Sequence, residues 1–199
     1  MHVRELAVRD ALEFTPQTFP DVRGMFAVPY QEDQFIKAVG YPMVVAQTNH
    51  SRSCRGTVRG LHYADVPPGQ AKYVYCPAGA LLDVVVDIRV GSPTFGQWDA
   101  VRLDPDTLRA IYLPEGVGHA FVALEDDTVI SYLCSTGYNP AGEHGIDPLD
   151  PALGLPWPAD LVPLLSDKDA AAPTLAEAES AGLLPSYAAC RAQYDLRAG

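Results

Sequence analysis

Polar and apolar residues alternate over short segments through the middle of the chain. Within Leu81–Arg89 every even-numbered residue is apolar, whereas Asp83 and Asp87 lie among the odd-numbered ones. Because successive side chains of a strand point to opposite faces, this pattern predicts a strand with one apolar face and one face that carries polar groups. Other segments rich in β-branched and aromatic residues also predict strands. They are Met43–Ser51, Thr57–Tyr63, Ala71–Pro77, Trp98–Leu103, Arg109–Leu113, Gly118–Ala123 and Thr128–Cys134.

These segments follow one another closely, with no helical pattern between them. The arrangement predicts an all-β fold, an antiparallel barrel or sandwich, and not an alternating α/β sheet. Helical composition is found late, in Thr174–Gly182 and Ala188–Leu196. Glu177, three residues after Thr174, is typical of a capped helix start. We therefore expect residues 1–199 to form one domain with a helical tail over about 174–199.

The chain is acidic, with a formal net charge of −11 at pH 7. A protein that binds nucleic acid would need a basic face to neutralise phosphates, so we expect no nucleic-acid partner. An anionic small substrate would have to be met by locally clustered arginine or lysine side chains against this overall field.

The four cysteines are widely spaced and form no C-x-x-C pair, which excludes zinc-ribbon and thioredoxin-like motifs. Reduced, mostly buried thiols are therefore expected, as in a cytoplasmic protein. No segment is long and apolar enough to span a bilayer, and the N-terminus has no apolar signal region. The sequence thus predicts a cytoplasmic protein with no membrane partner.

The densest set of chemically useful polar side chains lies in Gln47–Tyr63, followed by Lys72. A barrel interior can gather such residues from neighbouring strands into one mouth. His62 has the side chain best suited to general-base chemistry near neutral pH. Arg59 is a charged residue inside a strand pattern, where burial without a partner is costly unless the side chain lies on an exposed face.

Several other residues could complete a proton-transfer site around this histidine. His119 follows a glycine-rich turn, and Tyr132 offers a phenol that can act as a general acid if its pKa is lowered. Asp169 could orient an imidazole, as carboxylates do in hydrolase triads, and Asp83 is the rival carboxylate for either histidine.

A metal site is an alternative for the same residues. Two separated histidines with an aspartate can form a facial triad, as in a metal-dependent cupin oxygenase. The H-x-H pair typical of metal-binding cupins is absent, because Tyr63 and Ala64 follow His62. No nucleophile elbow, P-loop or dinucleotide-binding fingerprint is found either.

The chain resembles the dTDP-4-dehydrorhamnose 3,5-epimerase family at motifs that run from about residue 20 to about residue 170. The combination of R-G-L-H-Y with Q-x-K is highly specific. Some segments are similar to actinomycete enzymes that make deoxysugars for antibiotics, among them Asp87–Trp98 and Gly116–Thr128. The family motifs are Arg23-Gly24, Gln47–Ser51, Arg59–Tyr63, Gln70–Lys72, Ser92–Gly96, Pro114–Phe121, Trp157-Pro158 and Ser166–Asp169.

The resemblance implies a cupin-like jelly-roll barrel, a homodimer, and catalysis without a metal or an organic cofactor. It implies a thymidine-diphosphate 4-keto-6-deoxyhexose as substrate, epimerised at C3, C5 or both. By the same resemblance His62 is the base, Asp169 its partner, Tyr132 the acid on the opposite sugar face, and Lys72 the group beside the C4 oxygen. The positions that match substrate-binding residues are Arg23, Phe26, Gln47, Asn49, Arg59, His119, Tyr138, Glu143 and Lys168.

The chain departs from the family pattern around the substrate, at Val28, Ala64 and Gly145–Asp150. These changes indicate a sugar other than rhamnose, and a 3,4-ketoisomerase acting on related sugar nucleotides is a second alternative. Strand parity adds one requirement. Arg59 and His62 have opposite parity, so both can face one pocket only if a bulge lies near Gly60.

Overall fold

The computed structural model describes residues 1–198 and is built mainly of β-strands. The strands are β1 (His2–Glu5), β2 (Leu12–Thr15), β3 (Thr18–Asp21), β4 (Gly24–Ala27), β5 (Gln47–Ser53), β6 (Val58–Ala64), β7 (Lys72–Ala78), β8 (Leu81–Val86), β9 (Trp98–Leu103), β10 (Ala110–Leu113), β11 (Gly118–Ala123), β12 (Thr128–Cys134) and β13 (Glu143–Gly145). The helices are α1 (Glu32–Val39), α2 (Asp167–Ala170), α3 (Leu175–Ser180) and α4 (Tyr187–Ala198).

Every segment that the alternation pattern predicted as a strand overlaps one, from β5 to β12. Two of the predicted strands were too long, one at its start and one at its end. β5 begins at Gln47 and not at Met43. β8 ends at Val86, because the side chain of Asp87 accepts hydrogen bonds from Arg89, Ser92 and Thr94 and so organises a loop.

Two antiparallel sheets pack face to face as a cupin-like jelly roll. One is six-stranded with the order β1-β2-β10-β7-β12-β5, and the other is five-stranded with the order β13-β6-β11-β8-β9. Their inner faces share an apolar cluster that includes Val74 and Ile130 of the first sheet and Val85 and Phe121 of the second. Burial of these side chains is the main stabilising contribution to the barrel.

The outer face of each sheet is also covered, so the strands are buried on both sides. Helix α1 places Phe35, 1% exposed, against Phe14, Tyr73 and Tyr112 of the six-stranded sheet. The five-stranded sheet is covered by the C-terminal segment, because Val84 packs in one cluster with residues of that segment.

The sequence pattern missed helix α1, helix α2 and strands β1–β4 and β13, and the expectation that helices are found only late in the chain was wrong. The missed strands have three or four residues each, too short for an alternation to be read. Helix α1 has eight residues and buries a single side chain, Phe35, so its apolar stripe is minimal.

The expected capping of the late helices is confirmed. Thr174 is the N-cap of α3, and its side chain and that of Glu177 form a reciprocal capping box. Helix α4 docks on the barrel through Tyr194, which donates to the carbonyl oxygen of Glu115 at 2.6 Å and accepts from the fully buried Arg89.

The bulge required near Gly60 is present. His119 of β11 pairs with His62 of β6, and Phe121 pairs with Arg59. Between these two pairs the chain advances by two residues along β11 but by three residues along β6. The extra residue in β6 lies between Arg59 and His62, and Gly60 takes a φ of +124° that other residues rarely adopt. The bulge therefore lets an odd-numbered and an even-numbered residue of one strand reach the same cleft.

Candidate active site

A cleft of about 490 Å³ opens beside strand β6 and helix α2. It contains six of the residues that the sequence singled out: Arg59, His62, Tyr138, Glu143, Lys168 and Asp169. The rest of its lining is Cys54, Thr57, Val58, Leu164, Leu165 and Ser166.

His62 and Asp169 form a hydrogen-bonded pair in this cleft. The Nε2 atom of His62 lies 2.7 Å from Oδ1 of Asp169, although 107 residues separate them in the chain. An ionised carboxylate only accepts hydrogen bonds, so Nε2 donates and Nδ1 is the ring nitrogen left to take up a proton. The His62 side chain is 36% exposed and that of Asp169 only 6%, so the imidazole meets solvent while its partner is enclosed.

The position of Asp169 follows from the local structure of α2. Ser166 is the N-cap of this helix, and its hydroxyl accepts a hydrogen bond from the Asp169 backbone at 3.1 Å. Burial by itself raises the pKa of Asp169, but hydrogen bonds and charge from His62, with help from Ser166 and the Gly60 backbone, hold that pKa below its usual value. Asp169 is therefore ionised at neutral pH and supports a positive charge on the imidazole.

A second histidine–carboxylate pair lies deeper in the barrel. His119 Nε2 is 2.7 Å from Oδ2 of Asp83, and the exposed fractions of the two side chains are 9% and 0%. From the sequence, either carboxylate could have been the partner of either histidine. In the structure Asp169 pairs with His62, and Asp83 pairs with His119.

Lys72 and Tyr132 extend the polar interior on the facing sheet. Lys72 of β7 is directly opposite Cys134 of β12, and Tyr132 is two residues before Cys134 on the same face. Burial lowers the pKa of Lys72, and the nearby Cys134, Glu143 and Asp83 oppose that change.

Tyr132 differs from the sequence-based expectation, which required a lowered pKa for an acid. Burial and the neighbouring Cys134 raise its pKa, while a hydrogen bond to Asn49 and the charge of Arg59 act in the opposite direction. The net shift is upward, so the phenol keeps its proton at neutral pH and is available as a proton donor.

Strand β5 supplies the polar wall next to Tyr132. Asn49 is directly opposite Tyr132 in the sheet, and Gln47 donates to the Asn49 side-chain oxygen at 2.6 Å. The backbone N–H of Tyr138 in turn donates to Gln47 Oε1 at 2.9 Å. This chain of hydrogen bonds fixes the backbone of Tyr138 at the rim of the cleft, where the residue is 62% exposed.

Two basic side chains give the cleft a local positive field in an acidic protein. Arg59 is held by a hydrogen bond from its Nε atom to the hydroxyl of Ser53 at 3.1 Å, and Lys168 is exposed on α2. Both line the cleft, so an anionic group there meets positive charge despite the net charge of −11.

Arg23 and Phe26 lie elsewhere, on the β3–β4 hairpin. Arg23 pairs with Asp21 of the same hairpin at 2.5 Å, and Phe26 is 64% exposed. Among residues 1–198 neither is part of the lining of the His62 cleft.

Sequence reasoning missed some residues of the site. Ser53 and Cys134 were not assigned roles, although each has the strand parity of an assigned neighbour, Asn49 and Tyr132 respectively. Leu164 and Leu165 line the cleft from an irregular segment that carries no periodic signal. Parity could have found the first two residues, but nothing in the sequence pointed to the leucines.

Residues 1–198 contain no group of three or more His, Cys, Asp or Glu side chains placed to hold a metal ion. In the same range, no helix combines the length and the apolar character needed to cross a membrane. All four cysteines are free, and three of them are buried, as expected.

Fold and site together define a jelly-roll enzyme built for proton transfer, with a paired imidazole at the cleft and a half-buried phenol and amine on the facing sheet. Comparison with known proteins agrees. The family model described as dTDP-4-dehydrorhamnose 3,5-epimerase matches residues 5–177. The chain belongs to this family.

The relatives are similar over almost their whole lengths. The chain is 53% identical to a dTDP-4-dehydrorhamnose 3-epimerase of Streptomyces niveus, over 96% of this chain and 92% of that protein. It is 52% identical to a dTDP-4-dehydrorhamnose 3,5-epimerase of Mycolicibacterium smegmatis, over 96% and 94%. A crystal structure of ChmJ, a 3'-monoepimerase from Streptomyces bikiniensis in complex with dTDP-quinovose, superposes with a TM-score of 0.94 at 49% identity, over 97% and 98% of the two chains. These comparisons support the epimerase interpretation and lend no support to a ketoisomerase or an oxygenase.

Proposed function

We propose that this protein epimerises a thymidine-diphosphate 4-keto-6-deoxyhexose at C3, C5 or both, without a cofactor, in nucleotide-deoxysugar biosynthesis. The observation that carries the proposal is the His62–Asp169 pair, held at 2.7 Å in a cleft that also contains Arg59 and Lys168. The relatives support it, because they include both 3-epimerases and 3,5-epimerases of such sugars, among them NovW from the novobiocin biosynthetic gene cluster. The proposed pathway makes a deoxysugar for an antibiotic, and the similarity to NovW supports this.

In the proposed mechanism the C4 carbonyl acidifies the neighbouring C–H bonds, so no redox step is needed. Nδ1 of His62 takes the proton from C3 or C5, and the electron pair of that C–H bond moves into the carbonyl to give an enolate. Lys72 stabilises the enolate oxygen, where negative charge develops in the transition state. Tyr132 then gives its phenolic proton to the opposite face of the carbon, which inverts the centre. Proton exchange with solvent resets His62 and Tyr132.

The substrate-binding roles follow the positions of the other side chains. Arg59 and Lys168 bind the diphosphate, because they are the basic groups of the cleft lining. Tyr138 stacks on the thymine through its exposed ring. The remaining residues with proposed contacts to sugar or nucleotide are Gln47, Asn49, His119 and Glu143.

We further propose a homodimer. The β3–β4 hairpin exposes Phe19, Met25 and Phe26, an apolar surface that a second copy of the chain would cover. Because Arg23 and Phe26 do not line the cleft of their own copy, their proposed role in substrate binding requires that they reach the cleft of the other. A cytoplasmic location is also proposed, supported by the free cysteines.

Deuterium incorporation tests the proposed activity. The enzyme is incubated in deuterated water with the 4-keto-6-deoxyglucose derivative of thymidine diphosphate, and C3 and C5 are examined by NMR and mass spectrometry. Deuterium with inverted configuration at both carbons identifies a 3,5-epimerase, and deuterium with inversion at one carbon identifies a monoepimerase. The absence of deuterium at both would refute the proposal.

The role of His62 is tested with a matched pair of variants. His62→Asn should abolish exchange and leave the affinity for thymidine diphosphate within a few-fold. His50→Asn is the control, because His50 is exposed and pairs with Ser131 at 3.0 Å outside the cleft lining. Turnover retained by His62→Asn would exclude His62 as the base.

A further inference from the structure

Asp83 is a fully buried carboxylate in an otherwise apolar part of the barrel. It lies on β8 between Leu81 and Val85, which share its face and belong to the inner apolar cluster. Its exposure is 0%. Burying a carboxylate is unfavourable unless hydrogen bonds and positive charge compensate, so its partners indicate what the group is for.

The carboxylate is only half satisfied. Its Oδ2 atom accepts from His119 Nε2 at 2.7 Å, whereas Oδ1 is buried and has no hydrogen-bond partner among the described residues. Buried side-chain oxygens are rarely left without a partner in folded proteins. Burial lowers the pKa of Lys72 on the facing sheet, and the nearby charge of Asp83 opposes that change.

Two of the histidines that pair with carboxylates stand side by side. His62 and His119 are directly opposite each other on β6 and β11, which places such side chains about 5 Å apart at Cβ. Asp169 holds the first ring at the exposed end, and Asp83 holds the second ring inside. His119 is therefore within reach of a carbonyl oxygen next to a carbon that is presented to His62.

We propose that Asp83 is a positioning residue which orients His119, so that His119 stabilises the substrate oxygen that becomes negative when His62 removes a proton. The proposal rests on the proposed function. It assigns Asp83 no contact with the substrate, and it explains why a carboxylate is placed in an apolar barrel interior. The role differs from that of Asp169, which serves the base.

Asp83→Asn keeps the shape of the side chain and removes its charge. We expect kcat to fall by about 100-fold or more, the range found when a donor to a developing oxyanion is lost. The KM and the affinity for thymidine diphosphate should change by no more than a few-fold, because the nucleotide contacts lie elsewhere. An equal loss in nucleotide affinity, or an unchanged kcat, would overturn the proposal.

Glu13→Gln is the matched control. Glu13 is also buried and forms an ion pair with Arg4 of the neighbouring strand β1, outside the candidate site. This variant should lose stability but keep its kcat. If it lost as much kcat as Asp83→Asn, a general effect of removing a buried charge would explain both.

A double variant shows whether Asp83 acts through His119. The kcat of Asp83→Asn combined with His119→Gln should be close to that of His119→Gln alone, because groups that act as a unit are not additive. Independent, multiplying effects would contradict the proposal. If Asp83→Asn does not fold, His119→Gln tests the same pair, and unchanged turnover would again overturn it.

Failure of the proposed function is distinguishable from failure of this inference. An unmodified enzyme that exchanges no deuterium at C3 or C5 refutes the proposed function. An active unmodified enzyme whose Asp83→Asn variant is equally active refutes only the role of Asp83.

Discussion

Gly60 is the residue on which the geometry of the cleft depends most directly. A methyl group added at this position would lie 2.5 Å from the carbonyl oxygen of His119 and 2.6 Å from Cα of Ala120. Ordinary carbon contacts are about 3.5 to 4.0 Å, and the atoms that would be struck belong to the β11 backbone. Relief would therefore require a shift of β6 against β11, the two strands that carry His62 and His119.

Two unfavourable terms apply to Gly60→Ala. A φ of +124° is strained for alanine, which costs about 1–3 kcal/mol. Overpacking against a backbone that cannot rotate away costs roughly another 1–3 kcal/mol. Activity should suffer more than stability, because a displacement of about 1 Å in a reacting group can lower the rate about 100-fold.

Gly40→Ala separates the two terms. Gly40 has a φ of +99°, and a Cβ there meets nothing within 4 Å, so this variant carries the conformational strain without the collision. Gly60→Ala should be less stable than Gly40→Ala by about 1–3 kcal/mol.

The comparison uses urea unfolding at one protein concentration, together with deuterium exchange at C3 and C5 of the substrate. Gly40→Ala should keep nearly full exchange, and Gly60→Ala should lose at least about 100-fold. Equal stability of the two variants together with full exchange in Gly60→Ala would refute the view that the bulge positions His62.

Three further changes have defined outcomes. Tyr132→Phe should keep deuterium exchange at the carbon that His62 deprotonates but lose inversion; NMR of the product checks this, and normal inversion would exclude Tyr132 as the acid. Phe35→Ala, at a position 1% exposed, should destabilise the protein by about 3–5 kcal/mol in urea unfolding, and a loss under about 1 kcal/mol would contradict the packing of α1. Because the pKa of Asp169 is lowered on folding from 3.8, its ionisation stabilises the protein above that pH, and the contribution is lost as pH falls below it. The difference in Tm between the unmodified protein and Asp169→Asn should therefore shrink as the pH falls from about 5 to about 2, and a constant difference would exclude this linkage.

The central strands could be predicted from the sequence because their alternation is long and strict. Asp83 and Val84 are neighbours in β8, so alternation already assigned the carboxylate and the apolar side chain to opposite faces of the strand. Parity also predicted the bulge at Gly60, which the register of β6 and β11 confirms. Helix α1 and the short first strands could not be predicted, since segments of this length carry too few periods.

The site was predicted in its residue types but not in its pairings. Six of the thirteen predicted site residues line one cleft, and the interior group around Lys72 lies behind it. Arg23 and Phe26 lie on a separate hairpin, which no local pattern indicated.

By itself, the sequence determined the strand faces and the set of groups that can move protons, because these depend on local alternation and on side-chain chemistry. Only the tertiary structure decided which carboxylate serves which histidine. Asp169 reaches His62 across 107 residues, and Asp83 reaches His119 across 36. Such partners are brought together by sheet register and burial, which link distant segments of the chain. The same contacts leave His62 exposed at the cleft and bury the pair formed by His119 and Asp83.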